Sequence, residues 1–254
     1  MVRPVFLALM TLALVGASPA RKHYYWYPAS ADAKPRPWAV LLPRAAGIGT
    51  LEQGNHLRDF AAWLNARGID ALIVDYDAAT SLVPAAKGAT GPKIAAIVTD
   101  ALADAREQGR MDMRCPGTVV GWSRGGEGAL TLASKAEGGT TGIKLAIVYY
   151  PSVRGQAKPY PQLHPVLALQ GAADGIAPRK SLDALAASRA ADAPEFSVQV
   201  YEGAKHRFDV AHPSDDPKGP TPSDYNGNAA RAALEAIGPT LEKYGIVQGG
   251  CALD

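Results

Sequence analysis

Short apolar runs alternate along the chain with segments whose apolar residues repeat at helical spacing. Residues 38–43 form a continuous apolar run, which is typical of a parallel strand buried on both faces. Residues 55–66 instead place their apolar side chains on one side of a helix. The predicted strands are 23–28, 38–43, 69–74, 118–120, 144–150, 165–170 and 195–201, and the predicted helices are 55–66, 94–108, 129–135, 179–191 and 229–244.

This alternation predicts the fold class. Strands followed in turn by helices indicate an α/β protein with a doubly wound, mostly parallel sheet and helices on both faces, in three α/β/α layers. Residues 195–201 alternate apolar and polar side chains, so we expect that strand nearer the edge of the sheet. Residues 75–91 are polar and rich in Gly, Ala and Pro, which predicts a surface loop. No internal repeat or linker interrupts the pattern, so we expect a single domain over residues 21–254.

The first twenty residues have the pattern of a secretory signal peptide. Arg3 supplies a positive start, residues 5–17 are apolar, and Ser18 and Ala20 are small residues at positions −3 and −1 of a cut before Arg21. The alternative is a membrane anchor, but a span needs ~20 apolar residues and this run is shorter. We therefore expect residues 1–20 to be removed and the mature protein to be periplasmic or secreted, with no membrane attachment.

Composition and charge narrow the choice of partners. The chain has 254 residues, of which 47% are hydrophobic and 20% charged, and this suits one large domain with its own core. The net charge is +2, and removal of the leader takes away Arg3 and no acid. A balance this close to neutral gives no reason to expect nucleic acid or anionic membrane as a partner. The oligomeric state is left open, with a monomer favoured.

The two cysteines, Cys115 and Cys251, are candidates for a disulfide. An oxidising compartment permits the bond, which would tie the C-terminal tail to the segment before the central strand. The alternative is two free thiols. Their spacing does not match that of a metal site, and we expect neither a metal nor a cofactor.

Residues 119–128 give the clearest chemical signal. An apolar strand leads into Gly-x-Ser-x-Gly at positions 121–125 and then into a helical segment, which is the strand–turn–helix context of a nucleophile elbow. Ser123 would lift its hydroxyl above the edge of the sheet, and the backbone N–H of Arg124 would donate to an oxyanion formed there. The alternative is a chance match to a short motif in a chain with 26 glycines.

A Ser-Asp-His triad can be completed from residues further along the chain. On this kind of sheet the triad follows the chain order Ser, then Asp or Glu, then His. Asp174 and His206 each follow a predicted strand, so we expect them at the same sheet edge as Ser123. His206 would take the proton of Ser123, and Asp174 would fix the imidazole tautomer. The competing histidines are His23, His56, His164 and His212, of which His212 is the main rival, and the competing acids are Asp75 and Asp209.

Three segments of the chain resemble the dienelactone hydrolases of the α/β-hydrolase superfamily. They are 121–126, 169–174 and 201–208, with the sequences GWSRGG, LQGAAD and YEGAKHRF. The Gly-Ala-x-His-x-Phe part is the more family-specific, and the resemblance covers roughly residues 36–245. It implies the α/β-hydrolase fold and a second oxyanion donor at the N–H of Ala45, in the loop after Pro43. The alternative for that loop is an ordinary strand-to-helix connection.

The chain departs from the family pattern at three positions. Ser123 stands where the best-known members have a nucleophilic Cys, so the site should depend more on His206, because a hydroxyl needs a stronger general base than a thiol. Arg44 matches the family's Glu in the oxyanion loop. A position near Ala79 matches a family Arg that helps to hold a substrate carboxylate. The departures argue against lactone hydrolysis as the specific activity and favour a generic carboxylic ester.

Four side chains near the motifs are candidates for substrate binding: Arg44, Trp122, Tyr150 and Arg207. The arginines, together with Arg124, could attract an anionic acyl or sugar-acid group, and the alternative is three solvated surface charges. Trp122 could form a pocket wall or be buried packing.

The expected function is a secreted serine hydrolase that cleaves a small-molecule carboxylic ester through an acyl-enzyme. A small-peptide hydrolase is the alternative within the enzymes, since related folds cleave amides. A non-catalytic binding protein that kept the fold is the alternative outside them.

Overall fold

The computed structural model describes residues 17–32, 34–135, 142–211 and 224–251. The strands are β1 (Tyr24–Tyr27), β2 (Trp38–Leu42), β3 (Asp70–Val74), β4 (Gly117–Trp122), β5 (Ile143–Tyr149), β6 (Val166–Gly171) and β7 (Phe196–Tyr201). The helices are α1 (His56–Asn65), α2 (Tyr76–Ala79), α3 (Thr90–Glu107), α4 (Arg124–Ala133), α5 (Arg179–Ala187) and α6 (Gly227–Lys243).

The strands form one sheet in the order β1-β3-β2-β4-β5-β6-β7. β1 pairs antiparallel with β3, and every other neighbouring pair is parallel. The mixed, mostly parallel sheet confirms the predicted fold class. β7 lies at the edge, as its alternating pattern predicts, and its side chains are only partly buried.

Burial on both faces explains the continuous apolar runs. All residues of β2 and β4 are buried, and successive side chains enter two separate cores. One core lies under α3, α4 and α5, and the other lies under α1 and α6. Because β4, β6 and β7 run parallel, their carboxyl ends reach the same edge of the sheet, and this brings the loops after them together.

Two sequence predictions near the site were wrong. The stretch 75–91 is not only surface loop, because it contains α2, and Tyr76 and Ala79 of that helix are buried. Asp75 caps α2, accepting from the N–H of Ala78 at 3.1 Å. The helix after the elbow begins directly at Arg124, five residues before the predicted start.

The predicted leader lies mostly outside the described residues, which start at 17. The described end of it packs against α3. The Ser18 hydroxyl donates to Asp100 at 2.6 Å, Ala20 is fully buried, and Arg21 pairs with Asp104 at 2.7 Å. A cut before Arg21 removes the first two of these contacts. Within the described part of the chain, no helix has the length and apolar character needed to cross a membrane.

Cys115 and Cys251 are joined in a disulfide. The bond attaches the end of the chain beyond α6 to the segment that leads into β4. The two residues are 136 apart in sequence. In the chain-entropy model, closing a loop of that length raises the free energy of the unfolded state by about 5 kcal/mol.

Candidate active site

A strained turn at Ser123 joins β4 to α4. Ser123 has φ 50° and ψ −109°, a left-handed backbone position that non-glycine residues rarely adopt. A Cβ added at Gly121 would lie 2.4 Å from the Gly125 carbonyl oxygen, and one at Gly125 would lie 2.3 Å from that of Leu42. Neither contact is possible, so both glycines are required for the turn to pack against the end of β2. The half-buried Ser123 side chain is thereby held at the carboxyl edge of the sheet.

Three side chains from separate loops form a hydrogen-bonded chain at this edge. The Nε2 of His206 lies 3.1 Å from the Ser123 Oγ, and its Nδ1 lies 2.8 Å from Asp174 Oδ2. Because Asp174 accepts at Nδ1, that nitrogen carries the proton and Nε2 presents its lone pair to the serine hydroxyl. The imidazole is nearly buried and the carboxylate fully so. The structure thus brings together the serine, histidine and aspartate predicted from their positions after strands, in the geometry of a nucleophile and its general base.

Asp174 is kept ionised by its neighbours. Burial raises the pKa of this carboxyl, but hydrogen bonds from His206 and from the backbone N–H groups of Ala177 and Ile176 outweigh burial and hold the pKa below its usual range. A folded-state pKa below the unfolded value means that the folded chain binds fewer protons. The resulting stabilisation is present above the unfolded pKa of about 3.9 and is lost as the pH falls through the folded value.

Of the four rival histidines, the structure describes His23, His56 and His164, and each has another place in the fold. His56 begins α1, and its ring packs edge-on against Trp122. His164 precedes β6 at the opposite edge of the sheet, where burial and then Lys144 lower its pKa. His23 lies in a short 3-10 turn before β1. His212 is outside the described residues.

The rival acids have other partners. Asp75 caps α2. Asp209 accepts from the Trp122 Nε1–H and from the Tyr150 hydroxyl, each at 2.6 Å. The sequence gives no sign of these two bonds, which join a loop residue to the ends of β4 and β5.

Tyr150 lies against the histidine. Its ring centre is 4.5 Å from that of His206, and the residue is fully buried with φ 36°. Burial, followed by the charge of Asp209, raises the pKa of the Tyr150 hydroxyl well above its ordinary value, so it remains a donor. Tyr150, predicted as a substrate contact, is fully buried and packs against the His206 imidazole.

The predicted substrate-binding side chains are mostly engaged within the protein. Arg44 is buried, with Nη1 3.4 Å from each ring nitrogen of His56, so it is not a solvated surface charge. Arg207 donates to Asp224 at 2.6 Å. Trp122 is 1% exposed, stacks on Tyr149, and borders a cavity of about 440 Å³. Trp122 is thus both buried packing and cavity wall.

The remaining predicted positions are the two oxyanion donors. Ala45 lies in the loop after β2, and Arg124 is the first residue of α4, directly after Ser123. The Arg124 guanidinium forms an ion pair with Asp77 of α2 and lies 3.3 Å from the Ala45 carbonyl oxygen. That contact brings the loop after β2 and the start of α4 together beside the serine.

Comparisons with known proteins agree with the fold. The model of the dienelactone hydrolase family matches residues 29–245. A dienelactone hydrolase-like promiscuous phosphotriesterase from metagenomic libraries superposes with a TM-score of 0.67 at 20% identity, covering 87% of this chain and 92% of that one. Esterase 2 of Thermogutta terrifontis, phosphorylated by paraoxon, gives 0.61 at 18% identity, covering 88% and 89%. The same esterase with butyrate bound gives 0.59 at 18% identity, covering 88% and 90%. No curated protein matches.

Proposed function

The chain belongs to the dienelactone hydrolase family, and from this premise we propose that it is a serine hydrolase of carboxylic esters. The observation that carries the proposal is the continuous hydrogen-bonded chain from Asp174 through His206 to Ser123. A serine hydroxyl is a weak nucleophile unless an adjacent base takes its proton, and this arrangement supplies the base together with the group that orients it.

In the proposed reaction Ser123 attacks the acyl carbon while Nε2 of His206 accepts its proton. The N–H groups of Ala45 and Arg124 stabilise the oxyanion of the tetrahedral intermediate. His206 then protonates the leaving alcohol, and an acyl-enzyme remains on Ser123. Water, activated by the same imidazole, releases the acid and restores the free serine. Asp174 stabilises the charged imidazole in both halves of the cycle.

The acyl-enzyme can be tested by partitioning. Butyrate esters with different leaving groups are hydrolysed in buffer containing methanol, and methyl butyrate and butyric acid are both measured. We expect one product ratio for all the esters, because a shared acyl-enzyme chooses between water and methanol after the leaving group has gone. A ratio that changes with the leaving group excludes a common intermediate. A matching butyryl anilide is assayed beside the esters, and faster cleavage of the anilide would make the protein an amide hydrolase.

We also propose that the protein is exported after loss of its leader. The leader pattern and the disulfide support this, since disulfides persist in oxidising compartments. Intact mass of the protein recovered from the periplasm or medium, before and after reduction, tests both points. We expect a chain shortened at its N-terminus and lighter by two hydrogen atoms before reduction. A full-length chain with two alkylatable thiols in the cell interior contradicts export.

A further inference from the structure

Two peptide units are proposed to bind the oxyanion, Ser123–Arg124 and Arg44–Ala45. In each of them, hydrogen bonds to the carbonyl oxygen fix the orientation of the peptide. In a trans peptide the C=O and N–H point in opposite directions, so a bond to the carbonyl sets the direction of the N–H. The Ser123 carbonyl, in the same peptide as the Arg124 N–H, accepts from the N–H groups of Glu127 at 3.2 Å and Ser152 at 3.0 Å. The first of these donors is in α4 and the second follows β5, so backbone alone orients this peptide.

The second peptide, Arg44–Ala45, is held partly by a side chain. The Arg44 carbonyl accepts from the Gly47 N–H at 3.0 Å, which closes a tight turn. The Tyr76 hydroxyl lies 3.3 Å from the same oxygen and 2.8 Å from the Pro43 carbonyl. Its single proton is therefore placed between two successive carbonyls of the loop. The Ala45 N–H, on the other side of its peptide, must point away from Tyr76.

The Tyr76 hydroxyl is itself held in place. Tyr76 is 2% exposed, and the Arg124 Nε donates to its oxygen at 3.4 Å. The Arg124 Nη2 donates to the Ala45 carbonyl and pairs with Asp77, the neighbour of Tyr76 in α2. Burial raises the pKa of Tyr76, with Arg124 opposing that effect, so the hydroxyl keeps its proton and acts as a donor. The Tyr76 hydroxyl thus contacts the carbonyls before the Ala45 N–H, and the Arg124 guanidinium contacts the carbonyl after it.

We propose that Tyr76 and the Arg124 side chain are positioning residues, which lock the Arg44–Ala45 peptide in the orientation that turns its N–H to the oxyanion. The inference rests on the proposed function. It gives Arg124 two separate tasks, because its backbone N–H binds the oxyanion and its guanidinium holds the loop that supplies the other donor. It also explains why this guanidinium faces Tyr76, Ala45 and Asp77. A donor fixed before the reaction begins costs no reorganisation when the charge develops.

The effect should appear in the transition state and not in substrate binding. Removing a whole oxyanion donor costs about 100- to 1000-fold in kcat, and loosening one should cost less. For Tyr76→Phe we expect kcat to fall about 10- to 100-fold while KM stays within about twofold. The inhibition constant of a trifluoromethyl ketone, whose hemiketal oxyanion occupies the hole, should rise by the same factor as kcat/KM falls.

Tyr160→Phe is the matched control. The Tyr160 hydroxyl is also buried and also donates to a backbone carbonyl, that of Leu130 at 2.6 Å, but the contact lies away from the oxyanion loop. We expect this variant to lose comparable thermal stability while its kcat and ketone affinity remain those of the wild type. Equal losses of kcat in both variants would show a general effect of removing buried hydroxyls and overturn the proposal.

A second pair of variants decides the matter if Tyr76→Phe does not fold. Arg124→Ala keeps the backbone N–H and a helix-favouring residue, and the side chain it removes is 35% exposed. Arg179→Ala is its control, since Arg179 also begins a helix and also pairs with an aspartate, Asp183 at 3.1 Å. Loss of kcat and of ketone affinity in Arg124→Ala alone supports the proposal. A raised KM with unchanged kcat would instead make Arg124 a substrate anchor and contradict it.

The proposed function can fail separately from this inference. If Ser123→Ala retains wild-type activity, the serine mechanism is wrong, and the oxyanion argument falls with it. If Ser123→Ala is inactive while folded Tyr76→Phe and Arg124→Ala keep full kcat and full ketone affinity, the mechanism stands and only the positioning role is wrong.

Discussion

Ser123→Ala is expected to lower kcat/KM for a short-chain p-nitrophenyl ester by between about ten-thousand-fold and about a million-fold. The reason is that no covalent intermediate can form when the hydroxyl that His206 contacts at 3.1 Å is absent. The proposed oxyanion donors remain, so the residual rate should stay above that of the uncatalysed reaction. KM should change little, because the hydroxyl acts in the chemical step.

Ser134→Ala is a matched control for this substitution. Ser134 ends the same helix that Ser123 precedes, and its hydroxyl donates to the Thr131 carbonyl at 2.8 Å. We expect full activity in this variant. A fluorophosphonate should label the wild type and Ser134→Ala at one site and leave Ser123→Ala unlabelled. Equal turnover by wild type and Ser123→Ala would exclude Ser123 as the nucleophile.

If neither the wild type nor the control hydrolyses the ester, the label still gives an answer. Labelling of Ser123 without turnover shows an active nucleophile offered an unsuitable ester. The absence of labelling shows that His206 does not activate the serine, and it then favours a binding protein that has kept the fold.

The sheet and the triad were predictable because they follow from local patterns and one topological rule. Continuous apolar runs identify strands that are buried on both faces, and the carboxyl ends of parallel strands meet at one edge. Ser123 and Asp174 follow strands of this kind, and His206 follows the alternating edge strand, so chain order and strand position sufficed to predict that they meet. The structure places all three within hydrogen-bonding distance of one another in series.

Other features of the site could not be predicted, because they depend on pairings between distant residues. α2 has four residues, too few for a helical apolar period, and its stretch is polar in composition. Nothing local therefore indicates that Tyr76 is buried beneath the loop after β2. Arg124 pairs with Asp77, which is 47 residues away in sequence, and Asp209 accepts from the indole N–H of Trp122, which is 87 residues away. Such polar partners become visible only once the tertiary fold is known.

Asp174→Asn is expected to lower kcat about ten-thousand-fold at neutral pH, with little change in KM. The two backbone bonds to Asp174 favour one orientation of the new amide. The Oδ1 of Asp174 accepts from the N–H groups of Ile176 at 2.8 Å and Ala177 at 2.9 Å. An asparagine keeps those bonds only with its own oxygen there, so its NH₂ group is turned toward His206. The imidazole must then accept at Nδ1 and carry its proton on Nε2, where it cannot take the proton of Ser123.

Asp70→Asn provides the comparison for this last substitution. Asp70 is also a buried aspartate that accepts from a backbone N–H, that of Ala29 at 2.7 Å, but it lies at the opposite end of the sheet. Steady-state kinetics and the rate of fluorophosphonate labelling should be measured for both variants. We expect both quantities to collapse in Asp174→Asn and to remain at wild-type levels in Asp70→Asn. A loss below about tenfold in folded Asp174→Asn would mean that the imidazole keeps its tautomer without a carboxylate. In that case the orienting acid of the site is not Asp174.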